Sequence, residues 1–296
     1  RDSSTSRGLG DVYKRQTYMF KKFFRNEVIV PLKYTEELKA AYSSGSVTGG
    51  KLKNKTALIT GANGGIGLSL CLRYAKEGCN VIFTVRSEKN RRVTYEYLRK
   101  NYPEGKYFGY LLDLCCVNSI EQFLLECSDI NIDIVINNAG VLSDIDRNGL
   151  FRKVKKEYFE KSFNTNLIGM KILTDSIIKK AKENDAKCSI INISSICSLY
   201  KNFQFTPYGI SKSGVSSYTK VLKKKYPDFN IHAIAPGCVA TGMVNYKLGD
   251  DLSYGHNILQ RVALTEEIAS LSAFLSSDYG RYISNTPIIA SAGEVL

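Results

Sequence analysis

From residue 56 onward, short apolar runs alternate with longer stretches in which apolar positions recur every three or four residues. The runs fall at 56–60, 80–85, 106–112, 132–136, 189–193, 230–235 and 287–290. They are short and rich in β-branched and aromatic residues, as strands are. The stretches between them predict helices over 65–77, 88–101, 119–128, 155–182 and 207–226, with another starting at 265. In the longest, Phe159, Phe163, Leu167, Met170, Leu173 and Ile177 form a helical stripe. Gly78 closes the first helix, Pro207 suits a first turn, and Thr265 is a natural N-cap. Near-continuous apolar strands alternating with helices imply an α/β fold: a doubly wound parallel sheet of about seven strands with helices on both faces.

The flank before residue 51 reads differently. Ser43-Ser44-Gly45-Ser46 and Gly49-Gly50 mark a linker, so the expected division is a tail and linker over 1–50 and one domain over 51–296. Residues 1–16 lack a periodic apolar pattern and read as translated vector sequence. Residues 17–34 mix Tyr18, Phe20, Phe23 and Phe24 with lysines, which suits a strand or helix packing onto the domain better than a membrane-surface helix.

The net charge is +13, of which +6 falls in residues 1–54. A solvated lysine-rich surface accounts for it, because no basic stripe interleaves with aromatics as an RNA-binding sheet would require. No nucleic-acid partner is therefore expected. No apolar run reaches the ~18 residues of a membrane span. The eight cysteines form no C-x-x-C pair and sit mostly in apolar segments, so they read as buried thiols of a reducing, cytoplasmic compartment. With two histidines and no clustered Cys/His spacing, no metal site is expected.

Two motifs carry the chemistry. Thr60-Gly61-Ala62-Asn63-Gly64-Gly65-Ile66-Gly67 joins the first strand to the first helix. Its glycines permit a tight turn and close approach to phosphate oxygens, and the helix start offers unpaired N–H groups and a positive dipole end. Tyr208-Gly209-Ile210-Ser211-Lys212 opens a later helix, thirteen residues after Ser195. Tyrosine and lysine four apart share a helix face, and an ammonium there can lower a phenol pKa that starts near ~10.

The glycine turn, Asn137-Asn138-Ala139-Gly140, Ser195, Tyr208 and Lys212 together resemble the short-chain dehydrogenase/reductase family, in its branch of about 250 residues. The resemblance runs from about residue 52 to 293 and implies a Rossmann-type sheet. It implies that Gly61, Asn63, Gly65, Ile66 and Gly67 cradle a dinucleotide pyrophosphate. Asp113 and Leu114 would meet the adenine, and Asn138, Ala139 and Gly140 the ribose and nicotinamide side. Pro236, Gly237, Val239 and Thr241 would hold the nicotinamide carboxamide. Tyr208 is then the general acid/base, Ser195 orients the substrate oxygen, Lys212 grips the nicotinamide ribose, and Asn166 anchors a water beside Lys212. By analogy the two long helices make a homodimer or homotetramer.

The implied activity is hydride transfer between a nicotinamide and a carbonyl or secondary alcohol. Val85, ending the second strand, cannot accept from ribose hydroxyls as a carboxylate would, while Arg86 suits a 2′-phosphate, so NADP(H) is favoured and NAD(H) stays possible. Gly64 stands where the family often has a second basic mark of NADP. The resemblance implies that the stretch 242–261 is a lid over substrate, and its mixed residues name no substrate. Ala290-Ser291-Ala292-Gly293-Glu294 departs from the Asp-Gly-Gly ending common in carrier-protein reductases. A non-catalytic NAD(P)-binding regulator is the alternative. A nucleotide-sugar epimerase fits the glycine spacing less well.

Overall fold

A computed structural model of the chain describes residue 35 and residues 45–142, 156–199, 206–244, 250–283 and 286–294. The readings made on 1–34, on Ser43 and Ser44 of the expected linker, and on residues 245–249 of the expected lid lie outside the described residues.

Seven strands form one parallel sheet in the order β3-β2-β1-β4-β5-β6-β7. They are β1 (Thr56–Thr60), β2 (Asn80–Val85), β3 (Lys106–Leu111), β4 (Ile134–Asn137), β5 (Ser189–Ile193), β6 (Asn230–Pro236) and β7 (Ile288–Ala290). The helices between them are α1 (Gly65–Lys76), α2 (Glu88–Asn101), α3 (Val117–Glu126), α4 (Lys156–Phe163), α5 (Met170–Glu183), α6 (Thr206–Lys225) and α7 (Thr265–Ser276). Strand order reverses between β1 and β4, the point at which open α/β sheets bind ligands outside the carboxyl ends of their strands.

Strand alternation explains the near-continuous apolar runs. Ala57 and Ile59 of β1, Val81 and Phe83 of β2, and Ile134 and Ile136 of β4 enter one core, with Leu70 and Tyr74 of α1 and Ala269 and Ala273 of α7. Leu58, Ile82 and Val135 enter the core on the opposite face, with Phe123 of α3, Leu173 and Ile177 of α5, and Val215 of α6. Both faces are thus buried, and a residue's parity decides which core it joins. Polar contacts fix α1 against α7: the Tyr74 hydroxyl lies 2.9 Å from Ser272 Oγ and 2.6 Å from Ser276 Oγ, and Ser69 Oγ donates to Thr265 Oγ1 at 2.7 Å.

Several expectations need correcting. The apolar stripe over 155–182 is not one α-helix, because a π-helical turn, Asn164–Gly169, separates α4 from α5. A π turn preserves the apolar face, so periodicity does not disclose it. Leu264, not Thr265, is the N-cap of α7. The Glu267 carboxylate accepts the Leu264 N–H at 2.8 Å, supplying the reciprocal half of a capping box, and Arg261 holds Glu267 at 2.7 and 2.8 Å. Thr265 is instead turned to Ser69. Of the eight cysteines, four are buried, Cys197 and Cys238 are half-buried, and Cys115 and Cys116 are exposed.

The segment before β1 is tied down where the sequence reads as linker. Glu77, at the end of α1, accepts from Val47 N–H at 2.8 Å and from the hydroxyls of Ser46 and Thr48, both at 2.5 Å. Arg73, buried beside it, donates to Glu77 at 3.3 Å. These donors hold the Glu77 carboxyl below the usual carboxylate range against the opposing effect of burial, which is the largest single influence on it. No helix among the described residues is long and apolar enough to cross a membrane.

Candidate active site

A cleft of about 620 Å³ opens at the carboxyl ends of the strands, across the β1/β4 reversal. At one end the glycine turn forms its wall through Gly61, Asn63, Gly64, Gly65 and Ile66. Gly61 and Gly65 have φ values of 68° and 51°, which favour glycine. A Cβ on Gly61 would stand 2.7 Å from Ala139 Cα, so the turn rests directly on the end of β4. Thr60 and Asn138 lock this junction. Thr60 Oγ1 accepts from the Asn138 and Ala139 N–H groups at 3.1 and 3.0 Å, and Asn138 Nδ2 donates to Thr60 O and Gly61 O at 2.9 and 3.1 Å.

Helix α1 starts after Gly64, whose missing side chain provides no cap. Its first-turn N–H groups therefore lack the usual side-chain acceptor at a helix end that lines the cleft. A phosphate fits such a place. Further along, Arg86, Asp113 and Leu114 lie at the ends of β2 and β3, while Pro236 ends β6 and Gly237, Val239 and Thr241 follow it; all line the same cleft. Val85 is buried and Arg86 is exposed at the cleft edge.

The polar machinery enters from β5 and α6. Ser195 sits just past β5, and its Oγ accepts the Cys197 N–H at 3.1 Å, which leaves the hydroxyl proton for an acceptor in the cleft. Tyr208 lies in the first turn of α6 and lines the cleft. Lys212, one turn on, places its ammonium 5.8 Å from the centre of the Tyr208 ring and donates to Ile193 O at 2.7 Å. Burial pulls the Lys212 pKa down to about 8. Ser194 fixes the helix from below, donating to Lys212 O at 3.0 Å and meeting Ser216 Oγ at 2.8 Å.

Two predicted residues do not reach the cleft wall. Gly67 lies beneath the turn: a Cβ there would overlap the Gly61 carbonyl oxygen and stand 2.9 Å from Ala62 Cα. Its place is a packing requirement, the close approach of helix to strand. Asn166 is buried in the π turn, where Oδ1 accepts the Val141 N–H at 2.7 Å and Nδ2 donates to Val141 O and Ser211 Oγ at 3.0 Å each. It nevertheless belongs to the Lys212 neighbourhood. A Cβ on Gly140 would sit 3.3 Å from both Asn166 Oδ1 and Lys212 Nζ, so the bare backbone of Gly140 gives the two room. The other predicted residues line the cleft together. Sequence reading missed Val141, Leu142 and Glu294, which also line it and belong to no recognisable spacing, and covered Tyr254 only as part of the 242–261 stretch.

The matched family model is that of the short chain dehydrogenases, over residues 55–251. This chain belongs to the short-chain dehydrogenase family. A 3-oxoacyl-[acyl-carrier-protein] reductase of Chlamydia trachomatis is 31% identical over 258 residues, covering 82% of this chain and 98% of that protein. An acetoacetyl-CoA reductase of an Acinetobacter species is 30% identical over 247 residues, with coverages of 81% and 98%. Among solved structures, a short-chain type dehydrogenase/reductase from Mycobacterium marinum superposes with a TM-score of 0.73 at 24% identity, covering 82% of this chain and 96% of that one. The L-sorbose reductase of Gluconobacter frateurii, solved with NADPH and L-sorbose, gives 0.71 at 19% identity, with coverages of 82% and 97%. These two likenesses establish the fold, a Rossmann-type sheet as expected.

Proposed function

We propose that this short-chain dehydrogenase is an NADP(H)-preferring oxidoreductase acting on a carbonyl or secondary alcohol. The observation that carries the reading is the meeting, in one cleft, of an uncapped helix start behind a glycine turn with Tyr208, Ser195 and the buried Lys212 ammonium. A bound nicotinamide would supply or take up the hydride.

The chain's own residues do the rest. The turn from Gly61 to Ile66 and the first N–H groups of α1 bind the pyrophosphate. Arg86 pairs with a 2′-phosphate, and Val85 offers no carboxylate to repel it. The reductase from Gluconobacter was solved with NADPH, which accords with this preference. Asp113 and Leu114 flank the adenine, and Asn138, Ala139 and Gly140 the ribose and nicotinamide side. Pro236, Gly237, Val239 and Thr241 border the carboxamide. Ser195 donates to the substrate oxygen and fixes it against the Tyr208 hydroxyl. Tyr208 delivers a proton to that oxygen during reduction and removes it during oxidation. Lys212, charged at neutral pH, favours the phenolate through its positive field and binds the ribose. Asn166 holds the backbone at Val141 and so positions the wall beside Lys212.

The domain division at about residue 51 and a homodimer or homotetramer belong to the same reading. Ile168 of the π turn, with Ile210 and Val221 of α6, presents exposed apolar side chains for such a contact. Loss of NADPH absorbance across a panel of uncharged, anionic and thioester carbonyl compounds tests the function. Carbonyl-dependent consumption is expected. Tight NADPH binding with no consumption across the panel would favour the non-catalytic regulator.

A further inference from the structure

Part of the stretch expected to be a lid is fastened on three sides. Residues 252–262 form a hairpin, in which Ser253 pairs antiparallel with Arg261, Tyr254 N–H donates to Gln260 O at 2.8 Å and Val262 N–H to Leu252 O at 2.9 Å. Leu252 and Val262, at its base, are fully buried. The chain leaving it joins the segment after β6: Ala263 N–H donates to Cys238 O and Ala240 N–H to Ala263 O, both at 2.9 Å. Arg261 ties it to α7 through Glu267. The third fastening comes from the turn after β7. There Ala292 takes a φ of 50°, in the left-handed region, and its carbonyl accepts the Ile258 N–H at 2.8 Å. Two residues on, Glu294 Oε1 accepts from the Tyr254 hydroxyl at 3.0 Å.

Glu294 is itself set in place. Its Oε2 is shut in against Gly237 and Ser291: a Cβ on Gly237 would stand 2.7 Å from that oxygen and 3.0 Å from Ser291 Cβ. The carboxyl is thus wedged, with Oε1 turned to the phenol. A charge-assisted contact of this kind is stronger than a neutral one and holds the ring in one direction. Tyr254 is half-buried and lines the cleft, and the His256 ring packs on it with centroids 5.0 Å apart. Because Glu294 meets Gly237 just past β6, this wall stands beside the β5 end that carries Ser195, away from Arg86 and Asp113 at the ends of β2 and β3.

We propose that Glu294 is a positioning residue: through the Tyr254 hydroxyl it holds the 252–262 hairpin as a standing wall at the substrate end of the cleft, shaped before substrate arrives. This inference rests on the carbonyl-reductase reading and adds to it the residues that shape its substrate end.

Four variants of the whole chain test it: Tyr254→Phe, Glu294→Ala, the two combined, and Glu294→Gln, whose amide oxygen still accepts from the phenol. Two readouts are taken with NADPH: amide hydrogen exchange across 252–262, and kcat and KM for ethyl acetoacetate. Tyr254→Phe and Glu294→Ala are each expected to speed exchange in the hairpin and to raise the ketoester KM by about tenfold, the factor that accompanies loss of a hydrogen bond to a charged group. Exchange in β1, kcat and the KM for NADPH should change little. The double variant should be no worse than either single one, and Glu294→Gln should lie near the wild type. Unchanged hairpin exchange in Glu294→Ala would overturn the inference, and so would additive effects of the two single changes. A raised KM for NADPH in place of the ketoester would also overturn it, by assigning the wall to the cofactor. The exchange contrast without consumption of ketoester by the wild type would uphold the positioning role and count against the reductase reading instead.

Discussion

Asn166 grips both backbone polar groups of Val141, accepting from its N–H at 2.7 Å and donating to its carbonyl at 3.0 Å. The π turn Asn164–Gly169 makes this possible by lifting the amide out of regular helical phase, at the place where β4 runs out into the cleft. Such turns recur at functional sites because they re-aim one side chain without ending the helix. Replacing Asn166 by Ala leaves the N–H and C=O of the half-buried Val141 without this partner, which costs up to about 1–3 kcal/mol, less where water reaches them. The expected outcome is a lower melting temperature and a fall in kcat, with NADPH affinity nearly kept. Calorimetry and a kcat-against-KM comparison check it; an unchanged kcat would make the residue purely structural.

The glycine turn predicts opposite outcomes at neighbouring positions. Gly64 has extended backbone and nothing within 4 Å of a Cβ. Gly64→Ala is therefore expected to fold and bind NADPH much as the wild type does. Gly67→Ala forces a methyl into the Gly61 carbonyl and Ala62, so the turn must shift. Overpacking of this kind costs about 1–3 kcal/mol. Fluorescence titration with NADPH should show a loss of tenfold or more at 67 and little change at 64; the reverse order would contradict the packing account.

Lys212 makes a stability prediction with a definite sign. Its pKa in the folded chain is about 8 against an ordinary 10.5. Between these values the unfolded chain holds more protons than the folded one, so this residue makes stability rise with pH across that window. Below pH 8 the buried ammonium costs about 3 kcal/mol. Lys212→Met removes both the charge and the slope. Urea unfolding from pH 7 to 10.5 should show the variant gaining most on the wild type at pH 7 and that advantage shrinking as pH rises. Parallel stability curves would contradict the burial of a charged amine.

Arg86 bears on cofactor choice. Arg86→Asp replaces the cation at the cleft edge by a group that repels a 2′-phosphate and accepts from ribose hydroxyls. The KM for NADPH should rise by about tenfold or more while that for NADH falls, as expected when a charge-assisted contact is lost. Initial rates with both cofactors check this, and indifference to the change would remove Arg86 from the site.

Much of this molecule is legible in its sequence because the inner strands are almost wholly buried, whereas the edge strands β3 and β7 are partly exposed. Ile59, Phe83, Val135 and Ile190 are fully enclosed, and the short apolar runs rich in β-branched residues that contain them read as inner strands. The same rule locates β1, β2 and β5 to the residue. It fails at β4, where the apolar run begins two residues before the strand does: Asp133 is turned aside to accept the Thr56 N–H at 2.8 Å. The site divides the same way. Motif residues such as Tyr208 and Lys212 announce themselves by spacing, and the sheet brings them to the cleft. Glu294 and Tyr254 carry no local pattern, since their meeting depends on how β7 and the segment before α7 return to the strand ends. Gly67 and Asn166 are visible in sequence but work from behind the wall, which spacing alone does not reveal.

The central claim is that the Tyr208 phenol and the glycine turn serve one reacting carbonyl. The most direct measurement uses NADPH deuterated at the transferring position of the nicotinamide, with wild type and Tyr208→Phe, following label into the carbinol carbon of the product. The account predicts deuterium transfer by the wild type and, for Tyr208→Phe, transfer slowed at least a hundredfold with NADPH affinity nearly unchanged, the order of magnitude of a lost general acid. Transfer at the wild-type rate by the variant, or no label in the alcohol formed by the wild type, would contradict it.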